Sequence, residues 1–197
     1  SKLVKLRYVE EIQLDATASV PAQHIFRANS MYDPNSTGVG HQPSNFDLWT
    51  NIYDHYTVLG SKITLQYVPD SSTSVVPGYI GVALSDSGST LAGSTTAEIM
   101  ERKMTSSSRR SVGLISAYAF KPVTHTFSAS KFFGRPKNVL IGDGTYRGKM
   151  GNFGTGSDPA EVAYFECFST TINGNNPGVL NCLVTIDYVA VLTEPKP

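Results

Sequence analysis

The sequence predicts an all-β protein: a single eight-stranded jelly roll of two packed antiparallel sheets, with short helices in two of its long connections. Three observations carry this. Strand-length segments of alternating apolar and polar residues recur along the chain. Glycine (17) and proline (11) punctuate them as turns, while charged residues make up 16% of the chain against roughly 25% in an average soluble protein. The connections alternate short and long, and in a jelly roll those two sets lie at opposite ends of the sandwich. At 197 residues the chain reads as one domain over 1–197, since sandwiches and barrels commonly run to this size undivided.

Strand B is predicted where Leu6, Tyr8, Ile12 and Leu14 alternate with Lys5, Arg7, Val9, Glu11 and Gln13. A turn at Pro21 leads to strand C, around 22–29. Asp33-Pro34-Asn35 and the glycines between 38 and 40 then open the long CD connection. Within it Ser44 and Asp47 form a capping-box-like start, and Phe46, Trp49, Tyr53 and Tyr56 recur at three- and four-residue steps, predicting a short helix. Strand D, about 57–68, has Ile63, Leu65 and Tyr67 on one face and Lys62, Thr64 and Gln66 on the other. A Ser-rich turn over 69–77 returns the chain as strand E at 78–85.

Thr95 and Glu98 form a second capping box in the EF connection, ahead of Ile99 and Met100. Strand F is placed near 109–117. A tight turn at 120–122 gives strand G through Val123, His125 and Phe127. Residues 131–159 read as a Gly-rich, irregular connection, functional or ordered by a neighbour. Strand H spans 161–171. The turn over 173–178 precedes strand I, with Leu180, Cys182, Val184, Ile186 and Tyr188 on one face.

Several words in this order resemble the capsid proteins of circular, Rep-encoding single-stranded DNA viruses, the circovirus-like (CRESS-DNA) group. They are His41-Gln42-Pro43, Phe46-Asp47, His55-Tyr56-Thr57-Val58 and Gly60-Ser61-Lys62-Ile63. Further along come Thr124-His125-Thr126-Phe127, Lys131-Phe132-Phe133-Gly134 and the run from Gly154 to Pro159. The fit extends from about residue 3 to residue 192. The resemblance implies a jelly roll that self-assembles into a small icosahedral shell, with one kind of subunit environment (T=1), around a circular single-stranded DNA genome bound without regard to sequence. It implies a virion location, the host nucleus during assembly, a host receptor that the sequence does not identify, and an Arg-rich arm ahead of the first strand.

Formal net charge is zero, so the chain has no overall field to attract nucleic acid or an acidic membrane. Local charge matters instead. Lys5, Arg7 and Lys62, with Lys2 nearby, lie on strands B and D, which share a sheet in a jelly roll, and all but Lys2 alternate away from the predicted core. The resemblance turns that sheet toward the shell interior. These four residues are candidate phosphate contacts or ordinary solvated strand charges. Trp49, Phe132, Phe133 and Phe153, in the long connections, are candidate subunit-interface residues. Replacing 131–134 with small polar residues is accordingly expected to disrupt assembly more than folding.

No catalytic motif is present: there is neither a Gly-x-Ser-x-Gly elbow nor a His-Glu-x-x-His pair. The four histidines have no metal-ligand spacing with one another or with cysteine, and the glycines around Asp143 and Thr155 lack the strand-then-helix context of a phosphate loop. Neither cofactor nor metal is expected, although Asp143 and Asp158 are conceivable members of an intersubunit calcium site. Cys167 and Cys182 fall on opposite sheets, about 10 Å apart. A disulfide needs its Cα atoms within about 7 Å, so both are read as buried thiols. Asn35-Ser36-Thr37 is formally a glycosylation sequon, read as a polar turn. No apolar run reaches membrane-spanning length, and no membrane insertion is expected. Two other readings share the architecture: a capsid of a small RNA virus, and a carbohydrate-binding or adhesin-like module.

Overall fold

The computed structural model describes all residues except 69–77, 90, 102–108, 116–120, 152–154, 172–173 and 177, and the backbone alone of 109–115. The predicted 69–77 turn, the end of strand F, Phe120, Phe153, Gly154, Asn173 and Pro177 therefore lie outside the described residues.

Two sheets form the molecule. The first runs β1 (Lys2–Ala16), β9 (Gly178–Pro195), β3 (Tyr53–Tyr67) and β6 (Val123–Ser128), with the two-residue β7 (Gly148–Lys149) paired to β3. The second runs β2 (Ala22–Arg27), β8 (Tyr164–Thr171), β4 (Gly78–Ser85) and β5 (Arg109–Ile115). Every pairing is antiparallel. In predicted letters this is B-I-D-G facing C-H-E-F, the arrangement of a jelly roll.

Alternation on β1 and β9 is strict. Val4, Leu6, Tyr8, Ile12 and Leu14 point inward beside Cys182, Val184, Ile186, Tyr188, Ala190 and Leu192, and meet Phe26, Ile80, Val82, Leu84, Phe165 and Cys167 from the other sheet. Each large apolar side chain buried here is worth about 1.5–3 kcal/mol. A bulge between Val58 and Gly60 reverses the inward parity of β3, so Tyr56 and Val58 on one side of it and Ile63 and Leu65 on the other all reach the core. Both cysteines are free and buried, and burial pushes their thiols up, Cys182 to about 12.

The two sheets differ on their outer faces. On β4 and β8 nearly every residue is buried, because α2 (Thr96–Glu101) and the segment before it cover that face: Leu91 and Ile99 pack on Ala83 and Phe168. The buried Glu166 carboxylate ties the cover down, accepting from the Ser85 hydroxyl and from the Leu91 amide at 3.2 Å. The predicted capping box starts α2, the Thr95 hydroxyl accepting from the Glu98 amide at 3.2 Å and the Glu98 carboxylate from the Thr95 amide at 2.7 Å. Among the described residues no such cover lies over the middle of the first sheet's outer face, where β1 and β9 alternate buried and solvent-facing residues.

Two expectations are corrected. The first helix, α1 (Phe46–Thr50), is a single turn with Asn45 as its N-cap in the left-handed region and no side-chain cap bond, so Ser44 is not its start. Tyr53 and Tyr56 belong to β3. The 131–159 connection is structured rather than irregular along its first part: α3 (Ala129–Phe133), α4 (Lys137–Gly142), a 3-10 turn (Gly144–Tyr146) and β7 follow one another there. Phe127, Phe132, Phe133 and Tyr146 pack there edge-to-face or tilted, with ring centroids 4.9–6.0 Å apart.

Gly148 is where β7 meets Tyr56, and a Cβ there would lie 2.1 Å from the Tyr56 ring. The ring is fully buried and cannot yield. Gly148→Ala should therefore lower stability by about 3 kcal/mol. Urea unfolding with an unchanged m-value checks this, and a midpoint equal to that of the unmodified chain would contradict the packing described.

Candidate nucleic-acid interface and the polar hub of the long loops

Register brings the candidate cations together. Arg7 lies opposite Asp187 on β9, Asp187 opposite Lys62 on β3, and Lys62 opposite Thr126 on β6, making one row across four strands. Neighbouring rows are Lys5, Val189, Gly60 and Ser128 on one side, and Val9, Thr185, Thr64 and Thr124 on the other. The Arg7 and Lys5 rows floor a shallow groove of about 660 Å³ lined by Lys5, Arg7, Lys62, Thr126 and Asp187. Lys5 and Lys62 are exposed.

Arg7 grips Asp187 with two hydrogen bonds, Nε to Oδ1 at 2.6 Å and Nη2 to Oδ2 at 3.2 Å, while both side chains stay open to water. That contact holds the Arg7 guanidinium above its ordinary pKa. Lys2 pairs with Leu192 at the sheet's end and has core-side parity, so it does not share the face. The three rows contain no aromatic side chain. A polymer lying here would meet charge and hydroxyls but no ring on which a base could stack.

The candidate interface residues are placed differently. Trp49 is half-buried on α1 and packs on the core beside Tyr53, 6.2 Å between centroids. Phe132 and Phe133 are half-buried in the cluster around Phe127, so their substitution reaches the core as well as any neighbour. The large apolar side chains that face solvent on the CD connection are Val39, Leu48 and Ile52.

A polar hub fixes the long loops to the sandwich. Arg27, at the end of β2, pairs with Asp33 at 3.0 Å and Asp158 at 3.3 Å and donates to the Asp33 carbonyl at 2.8 Å. The Ser30 hydroxyl donates to Asp158 at 2.5 Å and lies 2.9 Å from the Tyr56 hydroxyl, and Tyr188 donates to the Arg27 carbonyl at 2.8 Å. Burial raises Asp33 more than Arg27 lowers it, and desolvation pushes the Tyr56 and Tyr188 hydroxyls up. Asp143 serves elsewhere, capping the 3-10 turn through the Thr145 amide at 2.9 Å, so the two aspartates have separate structural roles. Among the described residues no group of three His, Cys, Asp or Glu side chains is placed to hold a metal ion.

Next to the hub lies a feature that sequence reasoning missed. Glu10 points inward on β1, accepting from the Tyr8 hydroxyl and from Asn35 Nδ2 at 2.9 and 3.0 Å to its two oxygens. Asn35 is fully buried; its Oδ1 lies 3.3 Å from His24 Nε2 and accepts from the Thr37 amide at 3.1 Å. His41 stacks on Tyr8 at 4.5 Å. The signal was present in the sequence: a charged residue at core parity between Tyr8 and Ile12.

No protein-family model matches the chain, and no curated protein does. Solved structures do match. The BFDV capsid protein, in a decameric crystal structure, aligns over 98% of this chain and 99% of that one, with a TM-score of 0.50 and 8% identity. A cryo-EM structure of rhinovirus-B5 aligns over 95% of this chain and 68% of that one, with a TM-score of 0.51 and 12% identity. The fold is that of viral jelly-roll capsid proteins. At such identities the likeness is one of architecture, and no site residue is carried over from either.

Burial holds the His24 imidazole below its ordinary 6.5. The unfolded chain then binds the proton more readily, so stability is full above that value and falls as pH drops below it. Thermal unfolding from pH 7 to 5 should show this fall in the unmodified chain and a smaller one in His24→Gln. Equal falls in both would remove His24 from the account.

Proposed function

We propose that this chain is a capsid structural protein, without enzymatic activity, whose jelly roll self-assembles into a small icosahedral shell of T=1 type enclosing a circular single-stranded DNA genome. The reading rests on one observation. Among the described residues, the sheet whose outer face is left uncovered is also the one carrying Lys5, Arg7 and Lys62 in adjacent rows. A closed shell needs one broad face toward its contents, and this face is open for it.

The contents would be held through phosphates. With no ring for stacking, binding would be independent of sequence, and each neutralised phosphate of a single strand would contribute a slope of about −0.7 to the dependence of log affinity on log salt. Ribose phosphates would satisfy the same cations, so the choice of DNA rests on the resemblance to circovirus-like capsid proteins. The self-associating surfaces would be the long connections, where Leu48 and Ile52 expose apolar area beside Trp49. In this reading the protein resides in the virion, and in the host nucleus while shells form.

Light scattering and negative-stain microscopy of the purified chain, with and without single-stranded DNA, test the proposal. Uniform closed particles are expected. Lys5→Ala/Lys62→Ala should leave folding intact and flatten the salt slope of DNA binding by about 1.4, two contacts' worth. Monomers under every salt and DNA condition would overturn the shell and favour a carbohydrate-binding or adhesin-like module.

A further inference from the structure

Asp187 stands in the middle of the cationic row. It is the one carboxylate among the side chains lining the groove, and its strand lies between those of Arg7 and Lys62, directly opposite each. Opposed residues on adjacent antiparallel strands have Cβ atoms about 4.5–5.5 Å apart, so a carboxylate there faces both cations at once. Toward Arg7 it is fully engaged: the planar guanidinium presents Nε and Nη2 to both oxygens, the fork geometry with which arginine otherwise grips a phosphate. The pair is exposed and carries no structural burden; its two backbones are already fixed by the β1–β9 ladder.

We infer that Asp187 is a built-in counter-ion that occupies Arg7 in place of a nucleic-acid phosphate, and so sets how tightly this face holds a nucleic-acid backbone. This rests on the reading of the face as the one turned toward nucleic acid. A phosphate oxygen approaching the Nε–Nη2 edge of Arg7, the edge that grips bidentately, must displace a carboxylate tethered on the neighbouring strand at contact distance. Lys62 feels the same negative neighbour on one side and the Thr126 hydroxyl on the other. Of the three cations only Lys5, in a row whose other members are Val189, Gly60 and Ser128, has no carboxylate directly opposite it. The face is therefore a weak electrostatic surface by composition: enough charge to gather a flexible polyanion, too little to fix it in one path. Such a face suits a polymer that must pack and later leave.

The test uses the full chain with a fluorescein-labelled 20-mer oligothymidylate, the DNA being present before any assembly, and anisotropy read across a range of NaCl concentrations. Asp187→Asn keeps the size of the side chain. It should bind roughly 3-fold tighter at low salt and steepen the salt slope by about 0.7, one recovered phosphate contact. Arg7→Ala/Asp187→Asn should lose the steeper slope, because the recovered contact is Arg7. Glu11→Gln adds the same unit of charge two rows away on the same face, and should change the slope by much less. Identical curves for Asp187→Asn and the unmodified chain, with Lys5→Ala/Lys62→Ala still weakened, would overturn the counter-ion while leaving the nucleic-acid face standing. An equal gain from Glu11→Gln would overturn it too, showing that net charge alone matters. If Lys5→Ala/Lys62→Ala binds like the unmodified chain, or nothing binds, the face itself is misread and the inference falls with it.

Discussion

The pairing of β9 with β1, from Lys2 opposite Leu192 to Ala16 opposite Gly178, constrains everything else in the molecule. Side chains on a strand alternate between faces, so a slip of one residue would send Tyr8, Ile186 and Tyr188 to water and Arg7 and Asp187 to the core. The core and the cationic row are thus two sides of one register. Because β9 also pairs with β3, the same register decides that Lys62 stands beside Asp187. These contacts join opposite ends of the sequence, and the loop closure they require makes such a fold slow to form relative to one built from neighbours.

A second layer of order comes from the long connections. Ile99 of α2 and Leu91 of the segment before it bury one sheet a second time, with Glu166 as the tie, and among the described residues this leaves the outer face of the other sheet as the broad polar one. At the opposite side of the core the Arg27, Asp33 and Asp158 group, with Ser30, Tyr56 and Tyr188, binds the CD and GH connections to strands of both sheets. Removing one partner from such a cluster strands the others in a poor dielectric. Loop positions are therefore coupled to the core.

Much of the strand order was legible because its cause is local. Period-two patterning marks β1, β3, β6 and β9, Gly/Pro punctuation brackets the rest, and alternating connection lengths suffice for the jelly-roll path. The second capping box was legible for the same reason, since Thr95 and Glu98 complete each other within one turn. What failed was tertiary in origin. The helices of the 129–142 region are five and six residues long, too short to be marked by propensity, and are held by Phe132, Phe133 and Leu140 against the core. The first helix was read too long because the steps from Phe46 to Tyr56 suit a helix, whereas the chain has already become β3 at Tyr53. At the candidate site, the outward parity of Lys5, Arg7 and Lys62 was visible in sequence. Their alignment with Asp187 was not, because it depends on register between strands almost the whole chain apart.

The burial of Asn35 has a further use. Its side-chain nitrogen, the atom to which an N-linked sugar would be joined, spends its hydrogens on Glu10 inside the fold. Only a chain that has not yet closed the CD connection over β1 offers that nitrogen to a transferase. Expressed through a secretory route, the protein would carry its own timer: the share of molecules bearing a glycan would record how long the connection stayed open before the sandwich shut.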